Sequence, residues 1–264
     1  MLYKLKLDIL KNTTIRWFYK YLKKSFVSKP KSNFDLRHLL IQNYCKGKSF
    51  IDVGCMWGVN GYFSFLAEVY GANEVTGFDI YEPSEEFLRT HKERNSRVIF
   101  RQGDINSNSI VSKLGQFEVV YCTGLLYHVP DPVFTLNKLR QICSGVLILG
   151  TAVIPEFTGI KNMAVYYPFL EKNQRNIWKQ NSGDQSGITT PFDLKQGYGN
   201  WIWGLTNSCL MSLAKTAGFD VIEKHLGRFY SFIVCKISDE GFLPVSGEWS
   251  EPAHKEDYKN FLTK

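Results

Sequence analysis

Short apolar runs alternate with helical spacing through most of the chain. Phe50, Ile51 and Val53 form the first run. Val75-Thr76-Gly77-Phe78-Asp79, Arg97-Val98-Ile99-Phe100, Phe117 to Cys122 and the longer Ser144 to Thr151 follow it. Runs this short, rich in β-branched and aromatic residues, predict buried strands. Between them Tyr62, Phe63, Phe65, Leu66 and Val69 recur at helical intervals, as do Phe134, Leu136, Leu139 and Ile142. Pro83 to Asn95 predicts another helix, opened by Pro83 and Ser84, with Glu85 and Glu86 at the positive end of its dipole. Residues 35–45 suit a helix leading into the first strand. Cys209 to Ala217 suits one near the end, stopped by Gly218. Asp220 to His225 and Tyr230 to Lys236 supply two last strands, joined through Gly227. Alternation of this kind predicts an α/β fold, a doubly wound and mostly parallel seven-stranded sheet with helices on both faces.

Three segments break the alternation. Residues 152–206 are long, polar and aromatic, with Tyr166, Tyr167, Phe169, Trp178, Phe192, Tyr198, Trp201 and Trp203, and hold a loop-forming piece from Asn181 to Gly187. An insertion of this size in a compact domain is usually functional, a lid or cap. Residues 238–264 read as a polar tail pinned by Phe242, Leu243 and Trp249. Residues 1–31 hold a basic amphipathic helix: Ile15, Phe18, Tyr19, Leu22 and Phe26 share one side, and Arg16, Lys20, Lys23 and Lys24 the other.

Charge sharpens this division. Of a formal net charge of +7, residues 1–31 carry +8, from nine Lys or Arg against Asp8, leaving −1 for all that follows. The near-neutral remainder argues against a nucleic-acid enzyme with a basic face along its core. The arm itself has three readings: a helix packed on its own protein, a peripheral contact with an anionic membrane surface, or a contact with RNA phosphates. No apolar run approaches about 18 residues, so no membrane span is expected. The six cysteines (45, 55, 122, 143, 209, 235) form no Cys-x-x-Cys pair. Three lie in or beside the predicted core strands, as small hydrophobes would; the pattern fits a reducing cytoplasm and argues against a zinc site.

Candidate chemistry begins where the first strand ends. Asp52-Val53-Gly54-Cys55-Met56-Trp57-Gly58-Val59-Asn60-Gly61 is a glycine turn between strand and helix. A dinucleotide fingerprint needs glycine at position 56, which is Met56, so a nicotinamide enzyme is the least favoured reading. Asp52, two residues before the first glycine, suits a cationic amino-acid ligand better than a pyrophosphate. Asp79, ending the second strand, suits ribose hydroxyls. On Asp52, Gly54, Gly58 and Asp79 the chain resembles the class I S-adenosylmethionine-dependent methyltransferases, without their usual middle glycine. The resemblance implies a Rossmann-like methyltransferase fold and S-adenosyl-L-methionine as cofactor. It implies cofactor contacts at Asp52, Gly54, Cys55, Met56, Gly58, Asp79, Ile80, Asp104, Ile105, Thr123, Gly124 and Leu125. For Asp104 the alternative is a cap on the helix that starts near Ser107. Residues 32–151 then form the cofactor-binding half of the core, 152–206 an inserted acceptor-binding cap, and 207–237 the C-terminal part of the core.

The loop Gly124-Leu125-Leu126-Tyr127-His128-Val129-Pro130-Asp131-Pro132 follows the fourth strand. His128 is the candidate general base, since an unperturbed imidazole titrates near working pH, and Tyr127 the residue that orients the acceptor. The alternatives are a histidine that fixes local backbone and a tyrosine that only packs. The wording of this loop resembles the branch containing tRNA wobble-uridine carboxymethyltransferase, which uses carboxy-S-adenosyl-L-methionine. That branch has basic and aromatic residues ahead of the first motif, where this chain has Arg37 and His38 in a different pattern. The expected function is therefore methyl transfer to oxygen or nitrogen of a small acceptor, a sugar or natural-product intermediate. Modification of tRNA uridine is the alternative, and a non-catalytic cofactor-binding or membrane-associated partner protein a further one. The sequence sets no oligomeric state.

Overall fold

The computed structural model describes residues 33–167, 171–176 and 202–239. The expected basic helix of residues 1–31, the 181–187 loop and most of the C-terminal tail lie outside them. The chain divides into two compact units, residues 1–40 and 41–264. Of the first, the described residues are helical and belong to α1 (Asn33–Cys45), which runs on into the second.

The second unit is built on a sheet. Its elements are β1 (Ser49–Val53), α2 (Tyr62–Val69), β2 (Glu74–Asp79), α3 (Glu85–Glu93), β3 (Ile99–Gln102), α4 (Asn108–Leu114) and β4 (Phe117–Thr123). After a short 3-10 turn (Leu126–His128) come α5 (Pro132–Ile142), β5 (Cys143–Ile154), β6 (Ala164–Tyr167), β7 (Ile202–Thr206), α6 (Asn207–Thr216), β8 (Phe219–His225) and β9 (Tyr230–Ile237). Strands β3, β2, β1, β4 and β5 lie side by side and parallel. β9 runs antiparallel along β5, and β8 antiparallel along β9. These are the seven strands expected, in a doubly wound sheet. The apolar runs face helices on both sides: Val120, Cys122, Leu147, Leu149 and Ile233 share one core with Leu136, Leu139 and Leu210, while Tyr121, the intervening residue of β4, packs against Phe63 of α2. All six cysteines are buried thiols.

Two strands were not expected. β6 and β7 form an antiparallel hairpin inside the segment expected only as a cap. β4 pairs with β5 as far as Gly150, and β7 takes up Val153 and Ile154 beyond it. Apolar strands of five residues or fewer, interrupted by a long polar connection, give too little alternation to be read locally. The base of the hairpin is tied down by polar contacts. The Thr206 amide donates to the Met163 carbonyl, and Glu156 accepts from both the amide and the hydroxyl of Ser208 at the start of α6.

Helix ends follow their sequence signals. Ser84 caps α3 by accepting from the Phe87 amide, and Asp131 caps α5 by accepting from the Phe134 amide, with Pro132 in the first turn. β3 begins at Ile99, two residues later than its apolar run, because Arg97 is engaged with Glu68.

Candidate functional site

The loops at the carboxyl ends of β1, β2 and β4 converge. In open α/β sheets this end, on either side of the first strand, is where ligands sit. The glycine turn bends back on itself after β1. The Gly54 amide donates to the Phe78 carbonyl of β2 (2.8 Å), and the Gly61 amide to the Cys55 carbonyl (2.7 Å). Gly54 and Gly61 both adopt positive φ, 84° and 74°, and Gly58 does too. At Gly61 space is as decisive as dihedral: an added Cβ would lie 2.3 Å from the Phe87 ring. At Gly54 an added Cβ would approach Leu125 Cβ to 3.7 Å, so the turn and the loop after β4 are near neighbours.

Two carboxylates lie beneath this turn. Asp52 is 2% exposed and accepts from Ser64 Oγ of α2 (2.8 Å). Asp79 is 5% exposed, and its two oxygens serve different loops: Oδ2 accepts from the Met56 amide (2.7 Å), Oδ1 from the Tyr81 amide (2.9 Å). Burial pushes the Asp79 carboxyl above its ordinary range, and the hydrogen bonds from Tyr81 and Met56 oppose that only in part. Sequence reasoning assigned Asp79 to ligand hydroxyls; it missed that the same carboxylate holds the glycine turn. No local signal could have revealed it, since the donors are backbone groups 23 and 2 residues away.

The other candidates separate into core and rim. Cys55 is buried, its Sγ packed where a side chain on Gly77 would be, and burial with the charges of Asp52 and Asp79 pushes its thiol up. Ile105 is part of the main core. Only the backbones of these two can face a ligand. Ile80 is 53% exposed, beside an aromatic pair formed by Trp57 and Tyr81, centroids 5.8 Å apart. Trp57, on the turn itself, was not singled out from sequence. Asp104 is exposed, and its Oδ1 accepts from the Asn106 amide (2.8 Å). It forms a turn ahead of α4 whose cap position is Ser107, so it is not that helix's cap. Gly103, just before it, donates to the Asp79 carbonyl and brings the end of β3 to the same edge.

After β4, Thr123 Oγ1 donates to Tyr121 Oη (3.1 Å), and Gly124 donates to the Gly150 carbonyl. Tyr127 and His128 occupy the 3-10 turn, in which the His128 amide donates to the Leu125 carbonyl (2.8 Å). Their rings face one another with centroids 4.0 Å apart, and they are 4% and 5% exposed. The turn is braced from the hairpin: Trp203 Nε1 of β7 donates to the carbonyls of Val129 (3.1 Å) and Pro130 (3.3 Å).

A family model described as a methyltransferase domain matches residues 45–196, more than half of the chain and all of the strand-end loops above. The chain belongs to the methyltransferase domain family. Among curated relatives, a tRNA U34 carboxymethyltransferase of Helicobacter acinonychis is 31% identical over 117 residues, which cover 41% of this chain and 42% of that protein. A protein of the same name from Campylobacter concisus is 32% identical over 115 residues, covering 41% and 37%. The chain thus spans about two-fifths of the length of these relatives. Two solved structures share the fold. The N-terminal domain of EvdMO1, crystallised in the presence of SAH and D-fucose, has a TM-score of 0.56 at 14% identity, over 80% of this chain and 85% of that one. The Burkholderia thailandensis 1,6-didemethyltoxoflavin-N1-methyltransferase, with 1,6-didemethyltoxoflavin and S-adenosylhomocysteine bound, has a TM-score of 0.55 at 15% identity, over 85% and 86%. Among the described residues no helix is long and apolar enough to cross a membrane.

Proposed function

We propose that the chain is an S-adenosylmethionine-dependent methyltransferase acting on an oxygen or nitrogen of a small acceptor, such as a sugar or natural-product intermediate. The observation that carries this reading is the convergence of the glycine turn, the Asp79 carboxylate and the loop after β4 at one edge of a parallel sheet. The residues suit the group. A turn without side chains at Gly54 and Gly58 lets a ligand approach the backbone, and buried Asp52 and Asp79 supply negative charge for a sulfonium amino acid and acceptors for ribose.

When bound, the cofactor supplies an electrophilic methyl group on a sulfonium. The protein's share is alignment, exclusion of water and removal of a proton. Gly54, Met56, Gly58 and Gly124 offer backbone to the amino-acid end. Ile80, with Trp57 and Tyr81, offers apolar cover to the nucleoside, and Asp104 a hydrogen-bond acceptor at its edge. His128 takes the acceptor's proton, and Tyr127 orients the acceptor through its hydroxyl. Because both rings are buried, only an acceptor atom brought to about 3 Å can hand over its proton, which favours an oriented over a diffusing nucleophile. The hairpin of β6 and β7 lies in the segment proposed as the acceptor-binding cap.

A second reading, carboxymethyl transfer to tRNA uridine, is favoured by the relatives at 31% and 32% identity. One experiment weighs both. Native mass spectrometry of freshly purified protein should show S-adenosylmethionine or its demethylated product; a retained mass greater by one carboxyl group would overturn the first reading in favour of the second. Failure to retain or to bind either form in calorimetry would count against both.

A further inference from the structure

We infer that Trp203 is a positioning residue for the Tyr127–His128 turn, linking the inserted hairpin to the candidate general base. The inference rests on the reading of His128 given above. Trp203 lies on β7, 75 residues from His128 in sequence, yet its indole N–H bridges two successive carbonyls, Val129 and Pro130, directly after the turn. Few side chains could do this. The donor must reach across from another strand and stay fixed, and a flat ring with one N–H at its edge does so with only two rotatable bonds. The ring itself is held. Tyr166 of the paired strand β6 packs on it at 4.8 Å between centroids, and Tyr166 and Trp203 are register partners in the hairpin.

Both ends of the loop that holds the turn are anchored independently. Gly124 is bonded to Gly150 of β5, and the Asp131 side chain caps α5. Between these anchors run Leu125 to Pro130, and the indole holds the last two of them. Without it the backbone after His128 would keep its ends but lose the contact that sets its height above the sheet.

The substitution that tests this is Trp203→Phe, which keeps an aromatic ring against Tyr166 and removes the N–H. Trp203→Ala is less informative. Trp203 also lines an apolar groove of about 360 Å³ with Pro130, Val133, Leu205 and Leu213, and deleting the ring would enlarge that groove as well. In the full chain, labelled with ¹⁵N-histidine, the His128 imidazole signals are assigned by their absence in His128→Gln. Imidazole nitrogen shifts report hydrogen bonding and tautomer, which a general loss of stability does not move. Trp203→Phe is expected to displace the His128 nitrogen signals and leave those of His225 on β8 in place. Affinity for S-adenosylhomocysteine should stay within about twofold, as for sites that share no partner.

His128 signals that coincide with those of the unaltered chain would overturn the inference. A protein that binds no S-adenosylhomocysteine would count against the cofactor reading, while the His128 criterion stands on its own. Should Trp203→Phe fail to fold, hydrogen exchange of the Trp203 indole proton in the unaltered chain decides. Protection comparable to that of strand amides supports the bracing contact, and exchange as fast as that of an exposed indole overturns it.

Discussion

Replacing Asp79 by Ala separates two roles that the carboxylate combines. In the folded protein its oxygens accept from the Met56 amide at 2.7 Å, in a buried setting, and from the Tyr81 amide at 2.9 Å, in a half-buried one. Removal orphans the Met56 N–H, a loss of about 1–3 kcal/mol, whereas the Tyr81 N–H can turn to water. Against this stands relief of the burial that raises the Asp79 carboxyl above its ordinary value. The balance is a destabilisation of roughly 2 kcal/mol in the absence of any ligand. Cofactor binding should weaken further, by about 1.5–3 kcal/mol for the lost charge-assisted hydrogen bond to ribose, or roughly 10- to 150-fold. Urea unfolding of the free protein measures the first effect, and calorimetric titration with S-adenosylhomocysteine the second. The sign of the pH dependence is an added check. A carboxyl raised in the folded state contributes stability below its unfolded value of 3.8, and loses it as pH rises through the folded value. Asp79→Ala should lack that component, so its deficit should widen towards acid pH. An unfolding midpoint equal to that of the unaltered chain would refute the idea that this carboxylate holds the glycine turn.

Other expectations concern separate parts of the molecule. Gly61→Ala puts a Cβ 2.3 Å from Phe87 at a φ of 74°; strain and overpacking together should cost about 3 kcal/mol in urea unfolding. Gly115→Ala, at φ 80° and ψ −162°, a region open essentially only to glycine, should cost about 1–3 kcal/mol although the space around it is open. His128→Gln should lower the rate of methyl transfer to an identified acceptor by about 10²–10⁴-fold with cofactor affinity unchanged, and a full rate in that variant would remove His128 as the base. Tyr44 donates to Glu223 (2.7 Å), and burial followed by that carboxylate pushes its phenol up to about 12. The neutral phenol is thus favoured in the folded state, giving stability that is full below pH 10 and lost as pH climbs towards about 12. Because the pair is only partly buried, the gain is on the order of 1 kcal/mol, and Tyr44→Phe should flatten the alkaline limb of the unfolding curve.

The strand-end motifs were readable because each is local. Apolar run, glycine turn and helix fall within residues 50–69, and the carboxylate ending β2 needs only its strand to be recognised. The alternation of short apolar runs and helical stretches likewise pointed to a mostly parallel, doubly wound sheet, whereas the strand order and the antiparallel run of β8 and β9 came from the structure. The cap at Ser84, the capped proline start of α5 and the burial of the cysteines were open to the same kind of reading.

What only the tertiary structure decided depends on residues far apart in the chain. Asp79 holds Met56, Trp203 braces the loop after His128, and β7 pairs with β5 across an insertion that carries almost no alternation of its own. The division of the candidate site into rim and core has the same origin. Ile80 and Ile105 are alike in sequence, each directly after an acid that follows an apolar run, yet one is exposed and the other belongs to the core. Local pattern sets which backbone conformation a segment prefers. Which side chains then meet is set by how the segments pack, and packing is a property of the whole chain.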